Sequence, residues 1–224
     1  MQIKGFGNLI REIPYRNHAF NIRKKIWINQ DQDEQDQRDL ILSIFGSSDI
    51  ITLNRNDLFN PALELPEFII KTLMWGYPTK GRGTNIDNLL KPDHFDQLVK
   101  ILEGYKESEI SVAQLKSDIK EIPGLGLSTM SKFAYFLNTR IKGFRCLILD
   151  SRIIEAICLN RFEELRPLNK IRIDDAINRY TEYLALLDNL GKTLTVSPDQ
   201  VEMFLFVFGA RLSELKGEDC YDYD

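Results

Sequence analysis

The stretch EIPGLGLSTMSKFAYFL, residues 121–137, decides the fold prediction, because one proline and two glycines interrupt a chain that is helical on both sides. Before the interruption, apolar residues recur at helical spacing over 111–122, and after it they recur again over 130–137. Glycine adopts backbone conformations that other residues avoid and leaves neighbouring N–H groups uncovered. The stretch therefore predicts two helices joined by a tight turn.

This turn predicts a phosphate contact at the start of the second helix, near Ser128. Uncovered amides at a helix N-terminus attract anions, and a contact made through the backbone reads no base sequence. The alternative is a plain helix–helix turn that binds nothing. The residues predicted to contact a DNA backbone here are Gly124, Leu125, Gly126 and Thr129.

Helical spacing dominates the rest of the chain. Two short apolar runs, 49–53 and 146–150, are candidates for buried extended segments. With about eight helices and almost no sheet, the pattern predicts an all-α fold, two-lobed and with little or no sheet. The further predicted helices cover 37–46, 66–76, 85–105 with a break at Pro92, 150–162, 172–191 and 197–215.

The domain prediction is a single helical unit over residues 1–224. Within it, residues 111–162 hold the hairpin and the catalytic segment, and residues 36–105 are a candidate second lobe.

Charge and composition limit the partners. The formal net charge is -4, and the two acidic stretches 31–39 and 217–224 carry -4 each, so the remaining body carries +4. A mildly basic body permits a phosphate partner without requiring one. The start of the chain has no signal-peptide pattern, and no run approaches the roughly 20 apolar residues that span a bilayer. We therefore expect a cytoplasmic protein with no membrane contact.

Cysteine and histidine usage argues against a metal centre or a disulfide framework. The three cysteines, Cys146, Cys158 and Cys220, are scattered and form no CxxC pair, which speaks against an iron–sulfur cluster. His18 and His94 are too isolated for a histidine-rich metal site. We expect no metal site and no cofactor.

The order of three motifs resembles a known family. IPGLG (122–126) is followed by a helix and then by CLILDSRI (146–153). This order is similar to that of the helix-hairpin-helix DNA glycosylase superfamily, in which a Leu-Pro-Gly-x-Gly hairpin precedes an apolar run that ends in the catalytic aspartate. The Asp-Ser-Arg run and WGYPTKGRG (75–83) also resemble bacterial and archaeal 8-oxoguanine glycosylases. The resemblance covers residues 121–153.

The resemblance implies that Asp150 is catalytic. A carboxylate beside the sugar would stabilise the positive charge that develops when the glycosidic bond breaks. The buried run before Asp150 would hold it rigidly, and the helix that follows would keep it ionised. The alternative is that Asp150 only caps that helix.

The nucleophile has two candidates. In family members that also cut the strand, a lysine lies two residues after the second hairpin glycine, and Ser128 holds that position here. Lys132 lies four residues further on and 18 residues before Asp150, close to the lysine–aspartate separation of the family. Alignment of the hairpin favours Ser128 with a water nucleophile, whereas spacing favours a Schiff base on Lys132, which we prefer. A lysine whose charged end reaches solvent is the alternative.

Further residues are predicted to contact DNA. Arg145 and Arg152 flank the aspartate and could contact the backbone. Aromatic residues with adjacent cations suit base stacking and phosphate contact, and core packing is the alternative for the aromatics. The predicted base pocket is formed by Trp75 and Tyr77, and the adjacent cations are Lys80 and Arg82.

The function these predictions favour is removal of a damaged base from double-stranded DNA, with an oxidised purine such as 8-oxoguanine preferred. We expect a monomer without a cofactor, apart from a monovalent cation that relatives often hold at the hairpin. A DNA-binding hairpin protein without chemistry is the main alternative, and it would not need Asp150. The others are a glycosylase that attacks modified phage DNA and an all-α interaction protein.

Overall fold

The computed structural model describes residues 1–28, 35–81 and 83–212, with the backbone alone for 35 and 36. Arg82, Cys220 and the acidic stretch 217–224 lie outside the described residues. The α-helices of the described residues are, in chain order, α1 (Gly7–Glu12), α2 (Lys24–Trp27), α3 (Gln35–Phe45), α4 (Arg55–Leu58), α5 (Leu65–Gly76), α6 (Asn85–Leu89), α7 (Pro92–Glu103), α8 (Val112–Glu121), α9 (Leu127–Phe136), α10 (Ser151–Cys158), α11 (Ala176–Leu194) and α12 (Pro198–Phe204).

Strands are short and few in the described part of the chain. They are β1 (Ala19–Arg23), β2 (Ile50–Asn54), β3 (Arg140–Ile141) and β4 (Phe144–Arg145). The prediction of an all-α fold with little sheet is therefore confirmed. None of the helices in the described ranges combines the length and the apolar character that crossing a bilayer requires.

The chain divides into two compact units. The central unit covers Arg16–Gly143, and the terminal unit combines Met1–Tyr15 with the chain from Phe144 onward. The predicted lobe 36–105 lies inside the central unit, whereas the predicted segment 111–162 is shared between both.

Helix α5 is the core helix of the central unit. Nearly every side chain from Phe68 to Trp75 is buried, so the helix is apolar all round rather than on one stripe. It packs against α9, which is also buried along most of its length. The antiparallel pair of β1 and β2, with Ala19 opposite Asn54 and Arg23 opposite Ile50, packs against α5 as well.

The apolar run CLIL (146–149) of the terminal unit is buried but forms no strand. Its carbonyls accept hydrogen bonds from side chains instead. The Tyr180 hydroxyl donates to Leu147 O at 2.6 Å, and the Tyr183 hydroxyl donates to Ile148 O at 2.7 Å. Buried carbonyls need partners, and two tyrosines of α11 supply them where a neighbouring strand would otherwise be required.

The predicted end of α11 at Gly191 was wrong, and close packing explains why a glycine lies there. Gly191 does not end α11, which continues to Leu194; a Cβ on Gly191 would lie 2.9 Å from Val196 O. The predicted helix 197–215 begins as α12 and continues as a π-helical turn, Leu205–Gly209, and its predicted end at 215 lies outside the described residues. A Cβ on Gly209 would lie 2.5 Å from Ala156 Cβ. Both glycines permit close approach rather than a turn.

Candidate active site

The turn between α8 and α9 is anchored by two buried side chains, Ile122 and Leu125, and Leu125 N donates to Ile122 O at 3.1 Å. Gly124 lies between them with φ +90°, in a region that disfavours other residues. A Cβ on Gly124 would also lie 3.0 Å from Asn85 O. The backbone conformation and the lack of space therefore both require glycine here.

Gly126 begins α9 as its N-cap and has different surroundings. Its backbone is extended, with φ -127° and ψ 169°, and it provides no side chain to cap the helix. A Cβ on Gly126 would meet nothing within 4 Å. Within the described ranges, no acceptor lies at the N–H groups of Leu127 and Ser128. The turn thus presents uncovered amides on an open side, which is a favourable environment for an anion.

Lys132 is buried on the same face of α9 as Ser128, as their four-residue separation predicts. Its Nζ donates to Ser128 O at 2.9 Å and to Ser128 Oγ at 3.1 Å. The ammonium lies 5.0 Å from the centroid of the Tyr77 ring, and the residue is only 4% exposed. Among the described residues, no carboxylate pairs with this ammonium. A cation buried without a counter-charge costs the fold free energy.

Tyr77 connects this lysine to the hairpin. Its hydroxyl lies 2.7 Å from Thr129 Oγ1 and 3.4 Å from Ser128 Oγ. Four of the predicted site residues, from two different parts of the sequence, therefore meet where α5 ends and α9 begins. We call Tyr77, Ser128, Thr129 and Lys132 the lysine cluster.

Trp75 lies in the aromatic core rather than on the surface of the cluster. It is 3% exposed, its Nε1 donates to His18 O at 3.1 Å, and its ring makes edge contacts with His18, Phe20 and Phe136. Little of the indole is accessible to a base in this arrangement. Its predicted role in a base pocket stays a prediction.

The predicted cation Lys80 has a partner of its own. Its Nζ forms an ion pair with Asp87 at 2.7 Å, so a phosphate contact would compete with that carboxylate.

Asp150 caps α10 in the terminal unit. Its backbone is extended, and its Oδ1 accepts from Arg152 N and Ile153 N, both at 3.1 Å. The second oxygen, Oδ2, has no hydrogen-bond donor in the part of the chain that the structure describes. The capping role that the sequence suggested as an alternative is thus present, and it occupies one of the two oxygens. The catalytic role stays a prediction.

The two predicted arginines near Asp150 differ in their contacts. Arg145 Nη1 lies 3.3 Å from Oδ1 of Asp199, a carboxylate that is 3% exposed. Arg152 is exposed, and its guanidinium lies 5.0 Å from the centroid of the Phe206 ring. Arg152 therefore presents its charge to solvent, whereas Arg145 stabilises a buried acid.

Cys146 is excluded as a nucleophile by its surroundings. Burial raises the pKa of its thiol from 9.0 to about 12, so the reactive thiolate is scarce at neutral pH. In the described ranges, no group of three or more His, Cys, Asp and Glu side chains could hold a metal ion. The cation expected at the hairpin stays a prediction.

Sequence patterns alone do not reveal the role of Gly76, the last residue of α5. A Cβ on Gly76 would lie 2.8 Å from Lys132 Cδ and 3.0 Å from Lys132 Cε. In the sequence, this glycine reads as an ordinary helix stop, and only the fold brings it against a lysine 56 positions later.

Comparison with known proteins agrees with the motif order. The model of a family described as putative 8-oxoguanine DNA glycosylase OGG-like protein matches residues 13–206, which include the hairpin, the lysine cluster and Asp150. No curated protein and no solved structure matches the chain.

Proposed function

The chain belongs to the family of putative 8-oxoguanine DNA glycosylase OGG-like proteins, and from this membership we propose that it flips a damaged base out of double-stranded DNA and removes it. An oxidised purine, 8-oxoguanine above all, is the favoured substrate, because the family is described by that base. Extrusion of the base is required because the glycosidic bond cannot be reached inside the stack.

The observation that carries the proposal is Lys132, which is buried and has no carboxylate partner in the described ranges. Such a lysine destabilises the fold, and a side chain kept at that cost has a reason outside stability. Among the residues that the structure describes, its hydrogen bonds go to Ser128 alone, so the amine can leave that contact without breaking an ion pair there. A lysine amine that is withdrawn from solvent is a good nucleophile once it has lost its proton.

In the proposed reaction, the deprotonated Nζ of Lys132 attacks C1′ of the sugar. The glycosidic bond breaks, and the base leaves with the bonding electrons and takes up a proton. The proton that the base takes up comes from Nζ, which becomes a secondary amine. The ring oxygen then takes the electrons of its own bond to C1′ together with a proton from water, which opens the sugar and leaves a protonated Schiff base between C1′ and Nζ. Hydrolysis of this Schiff base regenerates the lysine and releases an abasic site.

The other predicted residues support this step. The uncovered amides of the hairpin would hold a phosphate of the strand. The carboxylate of Asp150 would stabilise the positive charge on the sugar through its second oxygen. In the alternative mechanism, a water molecule attacks C1′ beside Ser128, and no covalent intermediate forms.

The test is a panel of duplexes, each with one altered base, including 8-oxoguanine and modified bases of phage DNA. Abasic sites are measured after incubation, and sodium borohydride is added in parallel to reduce any Schiff base to a stable adduct. We expect release of 8-oxoguanine and an adduct that is lost in Lys132→Gln. Lys100→Gln, at an exposed position of the same unit, is the matched control and should keep the adduct.

The outcomes separate the mechanisms. Base release without an adduct in the wild-type protein would favour water over Lys132. Binding without release of any base would favour a second candidate, a DNA-binding protein without chemistry. The capping contacts of Asp150 support this candidate, since they give the aspartate a structural role that requires no chemistry. In either case, affinity should fall steeply with salt if the hairpin contacts phosphate.

A further inference from the structure

Gly76 is a glycine that its own backbone does not require. It ends α5, and it does not have the positive φ that favours glycine elsewhere in the chain. Lys132 is the reason that residue 76 has no side chain. A Cβ on Gly76 would lie 2.8 Å from Lys132 Cδ and 3.0 Å from Lys132 Cε. The methylenes of the lysine run through the space that a side chain at residue 76 would fill.

The next residue, Tyr77, provides a second wall for the same lysine. Its ring lies under the ammonium at 5.0 Å, and its hydroxyl is fixed at 2.7 Å from Thr129 Oγ1. The Nζ of Lys132 donates two hydrogen bonds to Ser128, one to its carbonyl oxygen and one to its hydroxyl. Gly76 therefore leaves room for the methylenes of Lys132, while the Tyr77 ring and Ser128 both contact its ammonium group.

We infer that Gly76 and Tyr77 are positioning residues that aim the amine of Lys132, and that Tyr77 acts on the lysine rather than on the base. The inference rests on the proposed function, since it takes Lys132 as the reacting amine. The contact at Gly76 involves only a flexible stem, so an added methyl group can push the lysine aside without moving the backbone. The fold should therefore tolerate Gly76→Ala, whereas the amine should leave its position.

The first experiment measures this displacement without DNA. Lysines are methylated with formaldehyde and cyanoborohydride, and the rate at Lys132 is followed by peptide mass spectrometry. We expect Lys132 to be methylated slowly in the wild-type protein and severalfold faster in Gly76→Ala. Gly104→Ala is the control, because Gly104 has φ -76° and a Cβ there would make only an ordinary contact at 3.5 Å. Equal rates at Lys132 in all three proteins would overturn the inference.

The second experiment measures the consequence for the reaction. Because a displacement of about 1 Å can reduce a rate by about a hundredfold, we expect Gly76→Ala to slow single-turnover adduct formation by that order. DNA affinity should stay the same. Tyr77→Phe, which keeps the ring and loses the hydroxyl, should slow adduct formation less. In a Lys132→Gln background, Gly76→Ala should change residual base release no further, whereas a merely structural role would add its own loss.

The two experiments distinguish the failure of the inference from the failure of the proposed function. If the wild-type protein forms no adduct on any duplex, Lys132 is not the nucleophile. The methylation rate of Lys132 then still tests whether Gly76 sets the position of its side chain. If the wild-type protein forms the adduct and Gly76→Ala forms it at the same rate, the inference is wrong and the proposed function stands. Tryptophan fluorescence, from Trp27 and Trp75 in the same unit, verifies that each variant is folded.

Discussion

Substitution by alanine should affect mainly stability at one glycine of the hairpin, Gly124, and mainly DNA affinity at the other, Gly126. Gly124→Ala forces a side chain into a backbone with φ +90° and brings a Cβ within 3.0 Å of Asn85 O and 3.1 Å of Asn85 Cα. The left-handed conformation alone costs about 1–3 kcal/mol. Because both contacts are to backbone, little can move to relieve them. We expect Gly124→Ala to lower the free energy of unfolding by about 3 kcal/mol.

Gly126→Ala adds the same methyl group to an extended backbone with open space around it. Alanine is a poorer N-cap than glycine, so a loss of about 1 kcal/mol or less is expected. The methyl group would, however, stand where a phosphate approaches the amides of α9. Loss of a hydrogen bond to a charged group reduces affinity by about tenfold or more, and the reduction should be the same for every DNA sequence.

Thermal unfolding followed by tryptophan fluorescence measures the first effect, because both tryptophans are buried in the unit that contains the hairpin. The expected losses correspond to a fall in Tm of about 5–10 °C for Gly124→Ala and at most a few degrees for Gly126→Ala. DNA affinity of the folded proteins is measured on several unrelated duplexes. An unchanged Tm in Gly124→Ala, or an unchanged affinity in Gly126→Ala, would refute the roles given to these glycines.

Three further predictions concern other parts of the chain. Asp150→Asn should abolish base release with little change in Tm, since asparagine caps a helix as well as aspartate does; undiminished release would remove Asp150 from the mechanism. Tyr105→Phe should cost about 1–3 kcal/mol in urea unfolding, because it leaves the buried carboxylate of Asp118 without the hydroxyl that donates to it at 2.6 Å. Burial raises the pKa of Cys146 from 9.0 to about 12, so its contribution to stability is complete below pH 9 and is lost as the pH rises towards 12. Cys146→Ala should therefore reduce the fall in unfolding free energy over that range, as measured by circular dichroism.

Local rules of sequence predicted most of the longer helices because several of them carry their own start or stop signals. Ser111 caps α8, and the Ser-Pro pair at 197–198 begins α12 with a complete capping box. The break at Pro92 separates α6 from α7, since proline starts a helix well and continues one poorly. These signals act within a few residues, and they are therefore readable without a fold.

The sequence could not predict features that depend on distant partners. Strand β1 was missed because its pairing with β2 joins segments about thirty residues apart, and short strands carry weak local signals. The run at 146–149 looked like a strand because it is short and apolar. The two tyrosines that bind its carbonyls in place of a neighbouring strand lie more than thirty residues later, so no local pattern reveals them. The same limit hid Gly76, whose role depends on the position of Lys132.

Three departures from local rules lie close together near the start of α9. Most polar groups obey the rules: the buried acid Asp118 receives a hydroxyl, and Asp150 caps its helix. Near the start of α9, by contrast, Gly126 leaves a helix without a capping side chain, and Lys132 is buried without a described carboxylate. Position 76, which faces that lysine, holds a glycine that the backbone conformation does not require. A buried lysine in contact with a glycine that its own backbone does not require, beside a helix start with uncovered amides, is the pattern expected where stability has been given up for chemistry.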